Sequence, residues 1–197
     1  MKIQFLLKRL FDLLVSSSLL IILLPIFLLI ICCIKLDSKG PLLFRQARLG
    51  KGGRVFKIIK FRTMIPNAEH IGAGIVVTEK EDDRITRVGR FLRSTSLDEL
   101  PQLFNILMGD MSLVGPRPPV VYHPYEGYDN YPLWAKKRFD MLPGITGLSQ
   151  LTFRNSVPWD ERMKLDVQYI NNFTFITDIY ILVRTFTQLF RPKNIYS

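Results

Sequence analysis

The sequence predicts an α+β fold in which a membrane-associated helical segment, residues 1–36, precedes a small and mostly helical domain, residues 37–197. Three observations support this fold class. The 22 residues from Leu13 to Ile34 carry no charge, a glycine-rich turn separates two runs of strand-forming residues, and apolar residues recur at helical spacing through most of the remaining chain. A length of 197 residues fits one domain with an appended membrane element.

The uncharged run is long enough for a membrane helix but contains a proline. As one continuous helix it would rise about 33 Å, which matches the hydrocarbon core of a bilayer. Pro25 removes a backbone donor and is expected to kink the helix. Bases flank the run on both sides, namely Lys2, Lys8 and Arg9 before it and Lys35 and Lys39 after it. Because basic flanks prefer the cytoplasmic side, the pattern favours a re-entrant hairpin. The alternative is an ordinary transmembrane helix that contains a proline.

The net charge of +10 is concentrated directly after this segment. From Ser38 to Ala68 the chain has no acidic residue and eight bases. Anionic lipid headgroups are therefore the expected partner, at about 1 kcal/mol per base near the surface. Nucleic acid is the rival anion, but a membrane-anchored domain of this size disfavours it. The adjacent Cys32 and Cys33 lie in the apolar run and have neither metal-binding nor disulfide spacing.

The second part of the chain begins with a predicted β-hairpin. Two runs rich in apolar and basic residues flank the turn Leu49–Gly53, and Val55 and Phe61 are typical strand formers. The glycines lack the spacing of a phosphate-binding P-loop, so a turn is the better interpretation. The following segment, Pro66–Lys80, is predicted to be an irregular loop.

Four helices are predicted after this loop. The first has Ile85, Val88, Phe91 and Leu92 at helical spacing, and the second has Leu103, Phe104 and Leu107 on one face and ends at Gly109. Pro116–Pro119 then requires an extended segment, and a third helix runs from about Asp160 to Asn171. The last helix has a broad apolar face from Phe175 to Phe186 and is either a core helix or an amphipathic helix in the membrane interface.

The most informative residues are the adjacent carboxylates Asp98 and Glu99. The pattern alone favours helix capping: either Ser96 and Glu99 form a capping box, or Asp98 is the N-cap with Pro101 in the first turn. The nearby Arg93 and Arg117 support a second interpretation, a site for phosphate and a divalent cation. In such a site a carboxylate can act as a nucleophile, and arginine forks suit phosphate oxygens.

Four motifs make the chain resemble the monotopic phosphoglycosyl transferases, a family of bacterial sugar transferases. They are KFRTM at 60–64, SLDELPQLFNIL at 96–107, GDMSLVGPRP at 109–118 and PGITGLSQ at 143–150. The resemblance covers nearly the whole chain. It implies a re-entrant membrane helix hairpin kinked at Pro25, interfacial amphipathic helices and a small cytoplasmic domain. It also implies Mg²⁺, a UDP-sugar donor and transfer of the sugar phosphate to undecaprenyl phosphate or a similar polyprenyl phosphate.

The resemblance also implies roles for individual residues. Asp98 would be the nucleophile that forms a covalent phosphosugar and expels UMP, and Glu99 would hold the metal together with it. Matching positions that hold phosphates or active-site loops are Lys60, Arg62, Arg93 and Arg117. Nucleotide contacts are expected from Arg154 and Asp166. Three positions depart from residues common in the family: Leu24 replaces a serine, Leu142 an arginine and Phe153 a glycine.

The expected location is the cytoplasmic face of the bacterial inner membrane, in contact with anionic lipids and without a nucleic-acid partner. A homo-oligomer is possible on this sequence. The alternative function is a non-catalytic membrane-surface adaptor of a polysaccharide assembly complex, which explains the charge but not the grouping of acids and arginines. A hydrolase that uses the same aspartyl intermediate, with water as the acceptor, is a further alternative.

Overall fold

A computed structural model of the protein describes residues 2–68, 82–153 and 157–189. The helices in these ranges are α1 (Lys2–Ile22), α2 (Leu24–Asp37), α3 (Arg87–Thr95), α4 (Gln102–Met108), α5 (Leu133–Lys136), α6 (Leu148–Phe153), α7 (Trp159–Asn171) and α8 (Phe175–Leu189). The strands are β1 (Leu43–Leu49), β2 (Val55–Phe61), β3 (Ser112–Val114) and β4 (Gly144–Thr146). The predicted mixture of helix and sheet is therefore confirmed.

The N-terminal apolar run is divided into two helices that meet at Leu23. Pro25 lies in the first turn of α2, where its missing N–H costs nothing to that helix but prevents continuation from α1. The two helices are bent by 60°. Among the described helices none alone is long and apolar enough to cross a membrane, whereas this bent pair has the necessary length and composition. The bend forms with Leu24, more than half exposed, at the position before the proline.

One face of α1 is polar and buried against the rest of the protein. Lys8, Asp12 and Ser16, spaced four residues apart on that face, are at most 6% exposed. The Asp12 carboxylate accepts hydrogen bonds from the Ser112 hydroxyl at 2.7 Å and from the Leu113 amide at 3.1 Å, both in β3. Lys8 donates to the Val114 carbonyl at 2.8 Å and pairs with a buried carboxylate of α8. Helix α1 is thus attached to β3 by the side chains of Lys8 and Asp12, which lie one turn apart.

The predicted hairpin is confirmed. Strands β1 and β2 are antiparallel, with Leu43 opposite Phe61 and Leu49 opposite Val55. The turn between them contains Gly52 and Gly53 at positive φ, which glycine adopts without steric cost. The exposed bases Arg45, Lys51, Arg54 and Lys57 lie on this hairpin.

The hairpin is joined to α4 through one buried amide. Asn105 is fully buried, and its Oδ1 accepts from the Ile59 amide at 3.0 Å while its Nδ2 donates to the Lys57 carbonyl at 2.8 Å. The side chain therefore bonds to β2 much as a neighbouring strand would. Because Lys60 follows directly in β2, Asn105 fixes the position of that lysine relative to the start of α4.

The remaining predicted helices are present, with two differences. Helix α3 begins at Arg87 rather than near Ile85, because Ile85 forms a bridge with Met64 and the Thr86 hydroxyl caps the helix by accepting from the Gly89 amide. Helix α8 directs Ile181 into the core, whereas Val183 and Phe186 of the predicted face are exposed.

A short parallel pair of strands lies at the centre of the fold. Ser112 in β3 is opposite Gly144 in β4, and Val114 is opposite Thr146. The sequence predicted an extended segment at Pro116–Pro119, just after β3, and the pairing of β3 with β4 was not predicted. The pairing places the Gly115–Arg117 segment beside the acidic residues described below.

Candidate active site

A cleft of about 870 Å³ lies between the hairpin, the segment that joins α3 to α4, and helices α1, α6 and α8. Its lining contains most of the charged residues that the sequence singled out. They are Lys60, Arg62, Arg93, Asp98, Glu99 and Arg117. The fold thus brings these six residues into one cleft, although positions such as Lys60 and Arg117 are far apart in the sequence.

The acid pair lies in a single 3₁₀ turn, Leu97–Glu99, between α3 and α4. Ser96 ends α3 in a left-handed conformation and makes no side-chain capping hydrogen bond to this turn. The N-cap of α4 is Pro101, which likewise has no side-chain cap. Both capping interpretations are therefore wrong for this turn. The Glu99 carboxylate bonds to a lysine side chain instead of the Ser96 amide.

Glu99 is held by two bases. Its Oε1 accepts from Lys60 Nζ at 2.6 Å and lies 3.6 Å from Arg117 Nη2. Burial raises the pKa of Glu99, but the charges of Lys60 and Arg117 outweigh burial, so the net pKa lies below the usual range for a glutamate. Glu99 is therefore an ionised anchor for the two bases at neutral pH.

Asp98 has the opposite electrostatic balance. Burial raises its pKa, the charge of Lys60 lowers it, and the neighbouring Glu99 carboxylate raises it again, so the net pKa lies above the usual range for an aspartate. Two adjacent carboxylates with pKa values moved apart are typical of sites in which each has a different task. The Asp98 carboxylate is therefore the more basic of the two.

Arg93 and Arg62 approach the cleft from its other side. Arg93 Nε donates to the Thr63 hydroxyl at 2.9 Å, which ties the end of α3 to the residues after β2. The buried Arg62 donates to the carbonyl oxygens of Lys39 at 2.7 Å and Ser38 at 2.8 Å. Its guanidinium therefore fixes the chain that leaves α2. Because these donors already bond to backbone carbonyls, a phosphate contact from Arg62 stays a prediction.

The two residues expected to contact nucleotide have different outcomes. Arg154 lies outside the described residues. Asp166 is buried in α7, where its carboxylate accepts from Arg138 Nη2 at 2.7 Å and from the Ser149 hydroxyl at 2.6 Å. Arg138 also donates to the Arg117 carbonyl at 2.9 Å. Asp166 thus supports the backbone of Arg117 through Arg138, and a direct nucleotide contact stays a prediction.

Two arginines of the cleft were not identified from the sequence, Arg48 of β1 and Arg162 of α7. Arg48 donates to the Pro118 carbonyl at 3.0 Å. Burial, followed by the charge of Arg117, lowers the pKa of Arg48 to about 10, and the same two causes lower the pKa of Arg162. With the hairpin register known, the alternation of side chains along β1 identifies Arg48. Phe44 of β1 is opposite Lys60, and Arg48 lies four residues later on the same face.

The side chains present are compatible with Mg²⁺. In the described ranges no group of three or more potential protein ligands was found, and the cleft supplies the pair Asp98 and Glu99. Mg²⁺ is commonly bound by one or two carboxylates together with substrate phosphates and water. A carboxylate pair next to a cluster of bases therefore fits a metal that binds jointly with a phosphate-bearing substrate.

This arrangement defines a class of site. Bases converge on a position beside a partly buried carboxylate, so the cleft can hold a polyanion and place one of its phosphorus atoms near a nucleophile. These are the components that phosphoryl transfer requires.

The comparison with known families agrees with this class. The model of the family described as bacterial sugar transferase matches residues 3–192, so the chain belongs to that family.

Similar proteins include a sugar-phosphate transferase, an uncharacterized sugar transferase and a galactosyl transferase. The chain is 41% identical over 194 residues to the UDP-glucose:undecaprenyl-phosphate glucose-1-phosphate transferase of Caulobacter vibrioides, covering 96% of this chain and 72% of that protein. It is 38% identical over 193 residues to the uncharacterized sugar transferase EpsL of Bacillus subtilis, covering 96% and 90%. It is 46% identical over 156 residues to the galactosyl transferase CpsE of Streptococcus agalactiae, covering 74% and 34%. The chain thus spans about a third of the length of CpsE.

Proposed function

We propose that the protein transfers a sugar 1-phosphate from a UDP-sugar to undecaprenyl phosphate, or a similar polyprenyl phosphate, and releases UMP. The observation that carries the proposal is the arrangement of Asp98 and Glu99 with Lys60 and Arg117 in one cleft of a bacterial sugar transferase. The names of relatives such as the Caulobacter enzyme support the same reaction. The product would begin the synthesis of a lipid-linked glycan, such as a capsule, an exopolysaccharide or a glycoprotein glycan.

The proposed reaction has two displacement steps. A carboxylate oxygen of Asp98 attacks the phosphorus that carries the sugar, and the bond between that phosphorus and the oxygen bridging to UMP breaks. UMP leaves with the electron pair of that bond. A phosphate oxygen of the polyprenyl phosphate then attacks the same phosphorus, the bond to Asp98 breaks, and the carboxylate is regenerated. Each step exchanges one phosphorus–oxygen bond for another.

The bases of the cleft have distinct tasks in this proposal. Lys60 and Arg117, already held by Glu99, would contact the diphosphate, and Arg93 would contact the phosphate that is transferred. Arg48 and Arg162 add two more charges, so that, with Arg62, six bases and two carboxylates line the cleft. The repulsion among these bases is relieved when a polyanion binds, which favours the donor over a neutral sugar.

A Mg²⁺ ion held by Asp98 and Glu99 would supply positive charge to the diphosphate oxygens during the reaction. The bent pair α1 and α2 would enter the inner membrane from the cytoplasmic face and return to it, with the basic residues around it near anionic headgroups. The buried polar face of α1 supports this arrangement, because it requires α1 to remain against the catalytic domain.

The test is UMP release by the purified, detergent-solubilised protein with a panel of UDP-sugars, each with and without Mg²⁺ and undecaprenyl phosphate. We expect sustained UMP release to need both the metal and the lipid, with one sugar preferred. In the absence of lipid, a single turnover of UMP is expected, with the sugar phosphate retained on the protein. Sustained release without lipid would indicate the hydrolase, and no release from folded protein with any donor would leave the adaptor as the better explanation.

A pair of aspartate variants tests the nucleophile. Asp98→Asn removes the attacking oxygen with little change in size, so it should abolish both the single turnover and steady-state UMP release. The matched control is Asp140→Asn, which alters an exposed ion pair with Lys137 outside the cleft. Full activity of Asp98→Asn protein, verified to be free of deamidation, would refute the assignment.

A further inference from the structure

The cleft has an apolar half that the proposed reaction chemistry does not use. Close to the acids it is lined by Leu97, Leu100 and Leu103, and α1 contributes Leu19. The C-terminal part of the chain supplies the rest of the wall. Its apolar residues are Ile145, Leu151, Leu182 and Phe186, and they are accompanied by the polar residues Thr146, Gln150, Thr185 and Gln188. A UDP-sugar has no apolar group large enough to use such a wall.

This wall is built into the fold rather than being formed by a loosely attached helix. Thr185 of α8 forms a hydrogen bond of 2.8 Å with Thr146 of β4, and Gln188 of α8 donates to the Leu151 carbonyl at 3.3 Å. Leu182, one turn before Thr185 on α8, packs on the main hydrophobic core. The position of α8 beside the cleft is therefore set by contacts with β4 and α6.

Two helices that line the apolar half, α1 and α8, also have exposed apolar surfaces. On α1, residues such as Leu14 and Ile21 are about 70% exposed, and on α8 Val183 and Phe186 are about 60% exposed. A soluble protein seldom exposes such continuous apolar surface, whereas a lipid environment would cover it. The same cleft contains Arg48, Arg117 and Arg162, so its lining offers bases for an anionic group and apolar side chains for hydrocarbon.

We propose that this apolar half binds the isoprenoid chain of the acceptor lipid. The inference rests on the proposed function. It assigns the isoprenoid chain of the acceptor, the second substrate, to a surface that includes Leu19, Leu182 and Phe186. An amphiphile with one phosphate and a long hydrocarbon chain matches both the bases beside Asp98 and the apolar wall that continues from them. In this arrangement the isoprenoid chain enters from the bilayer beside α1 and α8. The phosphate of the lipid is then directed toward the bases near Asp98.

The test compares two aromatic truncations on the same helix. Phe186→Ala removes a residue that lines the cleft, and Tyr180→Ala removes a side chain of similar size that is also exposed on α8 but does not line it. For Phe186→Ala we expect the KM for undecaprenyl phosphate, expressed as its mole fraction in detergent micelles, to rise about fivefold to tenfold. This rise corresponds to the binding free energy lost when about half of a phenylalanine side chain no longer contacts an apolar partner. For Tyr180→Ala the KM should change by less than about twofold.

The donor half-reaction separates this inference from the proposed function. Phe186→Ala should still release one equivalent of UMP in the absence of lipid, and Phe186→Leu should restore most of the acceptor affinity. An unchanged KM in Phe186→Ala, or an equal rise in both truncations, would overturn the inference while leaving the proposed reaction intact. Loss of the single turnover in Phe186→Ala would also overturn it, because the wall would then belong to the donor site. Failure of the wild-type protein to release UMP would overturn the proposed function and the inference with it.

Discussion

Replacing Asn105 with alanine should strongly destabilise the protein, because this one side chain joins α4 to the outer edge of β2. The change removes two hydrogen bonds, at 3.0 Å and 2.8 Å, from a fully buried position. Each lost bond costs about 0.5–1.5 kcal/mol, and a buried group left without a partner costs about 1–3 kcal/mol. We therefore expect the free energy of unfolding to fall by about 2–4 kcal/mol, and Tm by roughly 5–15 °C for a domain of this size.

The assay is thermal unfolding of the detergent-solubilised protein, followed by circular dichroism at fixed detergent and protein concentration. Ser16→Ala is the control, because the Ser16 hydroxyl is also buried but has no hydrogen-bond partner among the described residues. Its removal should leave Tm almost unchanged or slightly higher. A Tm of Asn105→Ala within about 1 °C of the wild type would refute the reasoning.

The same substitution should reduce activity by displacing Lys60. A double-mutant cycle with Lys60→Met distinguishes this effect from a general loss of stability. If Asn105 acts through Lys60, the Asn105→Ala change should reduce the rate of UMP release much less when Lys60 is already replaced. Equal fractional losses in both backgrounds, measured well below each Tm, would contradict the positional role.

Three further predictions concern charged groups. Lys60→Met should slow UMP release by about one to two orders of magnitude, because a charge-assisted hydrogen bond of about 1.5–3 kcal/mol is lost; a rate within twofold of the wild type would contradict this. The rate of the single turnover should fall as pH decreases through the raised pKa of Asp98, since only the ionised carboxylate attacks. A pH profile of this rate should therefore have its midpoint above about 4, the usual pKa of an aspartate. Arg138→Met should lower the free energy of unfolding by about 3–5 kcal/mol, because Asp166 remains buried without its partner. The control Lys137→Met removes one member of an exposed pair and should change the free energy of unfolding by less than about 1 kcal/mol. Similar Tm values for the two variants would refute this prediction.

Local patterns predicted the elements well because each has a strong short-range cause. The proline at position 25 divides the N-terminal run, the glycines after Leu49 form the hairpin turn, and Gly109 ends α4 at positive φ as expected. Helix α7 differs from its predicted bounds by one residue at its start. These features depend on backbone geometry within a few residues, which a single sequence contains.

Partnerships between distant residues were harder to predict. Ser96 and Glu99 satisfy the capping-box pattern, but the pattern cannot show that Lys60, 39 residues earlier, provides a stronger partner for the carboxylate. Likewise the charge pattern of the basic stretch after α2 indicated lipid headgroups as its partner and did not distinguish Arg48, which lines the cleft, from the exposed bases Arg45 and Lys51. The alternation along a strand determines this division, and it becomes informative only when the register of the hairpin is known.

The polar face of α1 has a practical consequence for attempts to obtain a water-soluble form of this enzyme. Removing residues 2–37 would leave the Ser112 hydroxyl and the Leu113 amide without their acceptor, and would strip Phe61 and Leu92 of the apolar cover provided by Phe27 and Ile30. A generic hydrophobic helix grafted in place of α1 would not restore these bonds. The N-terminal helices are therefore packed as an internal part of the catalytic domain, and shortened or chimeric versions should lose their fold.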